Sequence, residues 1–347
     1  MRLACGRGSI SIVVVIGLFM VLGCRPEQVP QDSDSSTLTG GTSVGLEELW
    51  NPTAQGYLLS GDRIYTIDSK RKQVLVFSDT GALIQEIGRD GRGPGEFTSP
   101  SHLDVLNNLL VVSEKTGRVS IFDTTGTYSH SFYAAGVNHV GGNLKLLTDS
   151  LLVITGRRPG DEPYTGTMAH IYSVQGILVK DFLMLSDKSR KYESRSMTYA
   201  HCDKAVGDDT IWCAQSMEYV LYQFDYRGML LDSIALAPSH YRPLTTKEPK
   251  DKRSDRHVAW WESWDWVNNV VVIDDRRVAV MLVGSGGGPK YDIVDVKHGS
   301  VLKSYRFAWG SQQIVDVDHQ ESQMLLRSAR RDDGITAVEV LPVAAID

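Results

Sequence analysis

Apolar and polar positions alternate along this chain in short runs. After Gly45 no stretch sustains a 3.6-residue apolar stripe. Runs of Val, Ile, Leu and Tyr are instead broken by Gly, Asp and Asn, the pattern of strands joined by tight turns. One hairpin recurs: apolar strand, polar turn, apolar strand. It reads YLLS-GDR-IYTI at 57–67, LDVL-NN-LLVV at 103–112 and LKLL-TDS-LLVI at 144–154. It returns as DKAV-GDD-TIWC at 203–213, VVVI-DDR-RVAV at 270–280 and, less regularly, IVDVDHQESQMLLR at 314–327.

A second element follows each of the first five hairpins: a strand, a polar turn ending in Gly, and another strand. Its forms are VLVF-SDTG-ALI (74–84), VSIF-DTTG-TYS (119–129), HIY-SVQG-ILV (170–179), YQF-DYRG-MLL (222–231) and DIV-DVKHG-SVL (292–302). Phe77, Phe122, Tyr172 and Phe224 each stand four residues before that glycine, whose freedom at positive φ suits a hairpin turn. Four antiparallel strands per unit of roughly 40–50 residues is the pattern of a propeller blade. The expectation is an all-β chain: a six-bladed β-propeller of four-stranded antiparallel blades over 43–347. The sixth unit has a hairpin and one more strand, Gly334 to Leu341, and lacks an outer strand. Ser43 to Trp50 (SVGLEELW) precedes the first hairpin and belongs to no unit. Its addition to blade six would close the ring and remove a free sheet edge. A seventh blade would need another hairpin, and none is found.

Ile87-Gly88-Arg89-Asp90-Gly91-Arg92-Gly93-Pro94-Gly95-Glu96-Phe97, followed by Pro100, resembles the GxGxGPGEF loop of bacterial six-bladed propellers related to NHL repeats. Asp68 and Glu114, each ahead of a turn and a VxxF strand, match that family's D-x-x-x-x-R-[IV] pattern. The resemblance is strong over about 57–136 and is repeat shape alone beyond 140. It implies a propeller, secreted or lipid-anchored, and implies no particular activity.

The first residues read as an export signal. Arg2 and Arg7 precede an almost wholly apolar run from Ser9 to Leu22. Its length as a helix, about 21 Å, is short of the ~30 Å hydrocarbon core, so a signal peptide fits better than a membrane span. Val21-Leu22-Gly23-Cys24 resembles a bacterial lipobox, which makes Cys24 the lipidated residue; the alternative is a plain secretory signal. The polar stretch from Arg25 to Thr42 reads as a tether. The division is therefore 1–23 signal peptide, 24–42 tether and 43–347 propeller. By resemblance to sorted lipoproteins, Arg25 after the cysteine favours the outer membrane. Acids outnumber bases 42 to 36 in 347 residues, a net charge of −6. That surface argues against nucleic acid as a partner.

Catalytic motifs are absent from the linear sequence. Gly88 to Gly95 precedes no helix, so it is no dinucleotide fingerprint. It reads as an inter-blade loop, on which Arg89 and Arg92 are candidate ligand contacts. The run Gly284 to Lys290 is interrupted by Pro289 and lacks the Ser or Thr of a phosphate loop. Cys202 and Cys213 flank the turn Val206–Asp209 symmetrically and would face each other across a hairpin, as a disulfide or as two buried thiols.

The irregular stretch from Ala237 to Asn268 carries a charged run (247–257), which would act as a mobile flap if the cluster after it is a binding platform, and then Trp260, Trp261, Trp264 and Trp266. As an extended strand, Trp260, Trp264 and Trp266 would share one face and Trp261 the other. The cluster is either inter-blade packing or a ligand surface. The first functional expectation is thus a lipid-anchored binding scaffold for a peptide, glycan or partner protein, with no cofactor. The alternative is a hydrolase or lyase with an axial divalent metal such as Ca²⁺, for which His102, Asp104, Asp203 and Asp316 are candidates.

Overall fold

The computed structural model describes residues 38, 41–46, 49, 52–134, 142–156, 166–192, 199–284, 288–307, 313–327 and 336–346, with backbone alone at 52–55. Residues 1–23, Cys24 and most of the proposed tether lie outside the described residues. Leu38 does not behave as tether: it is buried in the core between the fifth and sixth blades. The folded body therefore begins upstream of Ser43, because this one apolar side chain among polar neighbours has a core to enter.

Six four-stranded antiparallel sheets follow one another along the chain. The inner strands are Pro52–Ser60, Pro100–Leu106, Leu144–Leu146, Ala200–Lys204, Asp265–Val272 and Gln313–Asp318, in blades 1 to 6. They pack in that order around an axis, and blade 6 returns to blade 1. The first five blades are built from consecutive strands. Blade 6 takes its outer strand from the other end of the chain: Thr42–Leu46 pairs with Thr336–Pro342, with Val44 opposite Val338.

Six apolar clusters fill the six blade interfaces. This explains why the second and third strands of a blade read as continuous apolar runs. Arg63–Asp68 and Gln73–Ser78 are buried on both faces, between neighbouring blades. Outer strands such as Leu83–Ile87 have one wet face and alternate. Burying each such Val or Ile contributes roughly 1.5–3 kcal/mol.

The turn glycines serve two ends. Gly81, Gly126, Gly176 and Gly228 all have φ between 75° and 87°. Three of them abut the outer strand of the preceding blade: Gly126 faces Ile87, Gly176 faces Phe132, and Gly228 faces Phe182. Gly81 of blade 1 faces Val44 and Gly45 of the strand that completes blade 6. A Cβ there would fall 2.3 Å from the Gly45 carbonyl oxygen.

Candidate functional site

One residue of each inner strand, at matching register, lines the axis: Leu58, Asp104, Lys145, Asp203, Val271 and Asp316. Blades 2, 4 and 6 thus each supply a carboxylate. Each carboxylate uses Oδ2 to accept the backbone N–H of the next blade. Asp104 accepts from Leu146 at 2.5 Å, Asp203 from Val272 at 2.8 Å and Asp316 from Leu59 at 3.0 Å. The Oδ1 atoms converge on Lys145 Nζ, at 3.8, 3.6 and 3.1 Å from Asp104, Asp203 and Asp316 respectively.

Burial alone would lower the pKa of Lys145. The carboxylates of Asp203, Asp316 and Asp104 outweigh it and hold the ammonium well above its ordinary range. Lys145 is thus held as a cation among the three carboxylates. Burial pushes Asp104 up to about 6, against the pull of Lys145 and the Leu146 amide.

This layer divides the axis. On one side opens a funnel of about 480 Å³. It is lined by six aspartates (Asp104, Asp203, Asp208, Asp209, Asp316 and Asp318) against Lys145 and Lys204, with His319 at the rim. On the other side lies a cavity of about 50 Å³ lined by Tyr57, His102, Asn143 and Asn269; Leu58, Lys145 and Asp203 border both spaces. His102 lines this smaller cavity, which Asp203 and Lys145 border, and its Nδ1 lies 3.1 Å from the Ser101 hydroxyl.

Of the four residues considered for an axial metal, the fold brings three together. The fourth element of the layer, Lys145, is absent from that expectation. Its ammonium occupies the point where a metal would bind, so the residues present do not fit a divalent cation. Among the described residues no group of three or more His, Cys, Asp or Glu is placed to hold a metal.

The tryptophans are arranged differently from the strand expectation. Asp255–Glu262 is a helix, capped by Ser254, whose side chain accepts from the His257 amide. The strand begins only at Asp265. The helix was not apparent as a stripe because it is short and polar and buries only Trp260. Trp260 and Trp261 are thus neighbours on a helix, Trp264 lies in the elbow and Trp266 in the strand, so all four rings meet. Ring centroids are 5.2 Å apart for Trp260–Trp264, 5.0 Å for Trp261–Trp266 and 5.6 Å for Trp264–Trp266. Trp261 does not point away. Trp264 is fully buried and Trp260 nearly so, against Met217 and Leu244.

The charged run before the helix is tied to it. Trp260 Nε1 donates to the Thr246 carbonyl at 3.0 Å, and Glu248 lies 3.1 Å from His257 Nε2 and 3.4 Å from Lys252. These contacts do not describe a loose flap.

Arg89 and Arg92 stand elsewhere, on the loop joining blades 1 and 2. The Arg89 guanidinium meets Glu96 at 2.8 Å, and Glu96 also accepts the Gly93 amide at 2.8 Å. Behind them Arg118 pairs with buried Glu114 and donates to the carbonyls of Arg92 and Glu96. This explains the loop's composition: its carbonyls wrap a buried guanidinium, and Phe97 packs against Phe122. The side chain of Arg92 is exposed. Cys202 and Cys213 face each other in register and are joined by a disulfide. Asn143 bonds both the N–H and the C=O of Cys202, tying this hairpin to blade 3.

Charged axis, six blades and terminal-strand closure define a propeller, and the comparisons agree. Residues 57–132, which are blades 1 and 2, match the family described as a 6-bladed beta-propeller, DUF5128. No curated protein matches the chain in sequence. Among solved structures, the chain is similar to a presumed exported protein of Bacteroides fragilis, with a TM-score of 0.58 and 12% identity over 87% of this chain and 95% of that one. It is also similar to a member of the DUF4221 family from Bacteroides vulgatus, with a TM-score of 0.61 and 10% identity over 88% and 97%. At such identities the likeness is one of fold. Among the described residues no helix is long and apolar enough to cross a membrane.

Proposed function

We propose that this chain is an exported, lipid-anchored propeller of the bacterial envelope that serves as a non-enzymatic binding scaffold for a peptide, glycan or partner protein. The axial funnel is its ligand mouth. The observation that carries this reading is the funnel's charge: six aspartates against two lysines around a space of about 480 Å³. Within the proposal, that charge favours a partner presenting a basic segment, since focused potential in a cleft attracts the opposite sign. The axial carboxylates themselves are engaged by amides and Lys145, which leaves the rim aspartates Asp208 and Asp209 to meet a ligand. Trp261 and Trp266, half-buried, are a secondary contact surface, with Arg92 a third. Export is supported by the apolar leader and by the fold neighbour's description. Anchoring is assigned to Cys24 and the outer membrane to Arg25.

Two experiments test this. Fluorescent oligolysine, oligoglutamate and neutral peptides should separate by polarisation, with oligolysine bound and Asp208→Asn/Asp209→Asn weakening it several-fold. Equal affinity for the three peptides, or none, would defeat the funnel reading. For the anchor, the full chain should partition into detergent phase when expressed in a bacterium and Cys24→Ala should not; identical partitioning would defeat it.

A further inference from the structure

The axial layer poses a problem of charge. Three carboxylates from blades 2, 4 and 6 are held within 3.1–3.8 Å of one point, and a single ammonium stands there. The carboxylates are not gathered by Lys145 alone. Each is fixed through its other oxygen to a backbone amide of the following blade. Their convergence is thus a property of the ring, and it would persist if Lys145 were shortened. We infer that Lys145 is a resident counter-ion that closes the propeller axis to divalent cations, and that the fold beneath it is a latent three-carboxylate Ca²⁺ site.

Three further points support this. The donor set is oxygen only, which suits a hard cation. Ca²⁺–oxygen distances of about 2.3–2.6 Å require each Oδ1 to move inward by roughly 1 Å, which flexible calcium geometry tolerates and Mg²⁺ does not. Removing the lysine side chain empties a path to the funnel, so water can complete the coordination. The same removal leaves three buried carboxyls with their amide donors but no counter-ion, which favours their protonation unless a divalent cation takes the ammonium's place. A covalently attached cation thus stands where a diffusible one would serve, and the axis is held together whatever the calcium concentration around the protein. The inference stands apart from the ligand proposed for the funnel.

The test uses the full chain, stripped with EDTA and titrated with CaCl₂ by calorimetry, with melting followed in parallel. The parent should bind no Ca²⁺ at the axis, and its melting temperature should not respond. Lys145→Ala should bind one Ca²⁺ per chain with Kd roughly 10⁻⁴ M or tighter, at least a hundredfold gain over the parent, and should melt higher with Ca²⁺ than without. Adding Asp316→Asn to Lys145→Ala should abolish that gain. Lys145→Asn, which leaves a neutral oxygen in place, guards against a folding defect of the first variant. Binding of one Ca²⁺ by the parent that Asp316→Asn removes would overturn the inference. So would folded Lys145→Ala and Lys145→Asn chains with no gained affinity, or variants that unfold and are not rescued by Ca²⁺.

Discussion

Asp316 Oδ2 accepts the backbone N–H of Leu59 at 3.0 Å, joining the last blade to the first across 257 residues of sequence. Its other oxygen reaches Lys145 at 3.1 Å. One side chain therefore satisfies a buried amide and a buried ammonium. Asp316→Ala should leave the Leu59 amide without its partner and Lys145 with only the more distant Asp104 and Asp203, and should lower stability by roughly 2–3 kcal/mol. Asp316→Asn keeps an oxygen for Leu59 and should cost less. Urea denaturation of the two variants beside the parent measures the difference; equal losses would show that the amide contact contributes nothing.

This pair also shows what could be read from the chain and what could not. The hairpins, the turn glycines and the missing outer strand are local patterns, so blade number and strand order were legible. Asp104, Asp203 and Asp316 could be named as axial candidates, and Asp104 and Asp203 read as roughly matched repeat positions, whereas Asp316, in the least regular hairpin, did not, and hairpin turns of unequal length blur the register further. The link Asn107–Asn108 in blade 2 is shorter than the stretch from Ala205 to Asp209 in blade 4. Only strand pairing aligns Asp104 opposite Val111 with Asp203 opposite Trp212 and Lys145 opposite Val153. Lys145 was missed for that reason: within LKLL it looks like one polar residue on a strand. The helix at Trp260 was missed because its amphipathic pattern is set by a single buried residue, too few for periodicity to register.

Trp264 and Trp261 separate packing from surface. Trp264 is fully enclosed by Trp260, Trp261 and Trp266. Trp264→Ala should lower stability by about 3–5 kcal/mol. Trp261 is half-buried and donates its Nε1–H to His257 at 3.0 Å; Trp261→Ala should cost less than half as much. Chemical denaturation monitored by circular dichroism reads both. Comparable losses would mean that the outer ring is as important to the cluster as the central one.

His201 gives the fold an acid-sensitive element. It is fully buried, with no hydrogen-bond partner for either ring nitrogen among the described residues, and burial pushes its pKa down to about 4. The unfolded chain takes up a proton near the ordinary value of 6.5, and the folded chain does so only near 4. Stability present above pH 6.5 is therefore lost as the pH falls toward 4, by roughly 3 kcal/mol from this residue. Asp104, raised to about 6, acts in the opposite sense: its neutral form favours the fold at low pH, and that contribution fades as the pH rises from about 4 to 6. The comparison that isolates His201 is parent against His201→Phe, whose stability difference should shift by about this amount between pH 7 and pH 4. A difference that stays constant with pH would show that the imidazole is not the titrating group.

The Cys202–Cys213 bond closes a short loop within one hairpin. Reduction, or the paired change Cys202→Ala/Cys213→Ala, should lower stability by about 2–3 kcal/mol. Thermal melts with and without reductant test this, and the mass of the alkylated protein reports the bond directly. Melts that coincide would show that the hairpin holds through Asn143 and its strand pairs alone.

The strand Thr42–Leu46 is among the first parts of the folded body to be synthesised, and its partner Thr336–Pro342 is among the last. Until the final residues emerge, blade 6 has no outer strand and blade 1 has nothing for Gly81 to lean on. The ring cannot lock by stages from one end; it stays an open arc whose two edges recognise only each other. An interrupted chain, short by a few tens of residues at its C-terminus, is then left with exposed strand edges at both ends and not simply with one blade fewer. Arrival of Thr336–Pro342 is built into the topology as a condition for burying the edges, and a chain stopped short of it keeps both exposed.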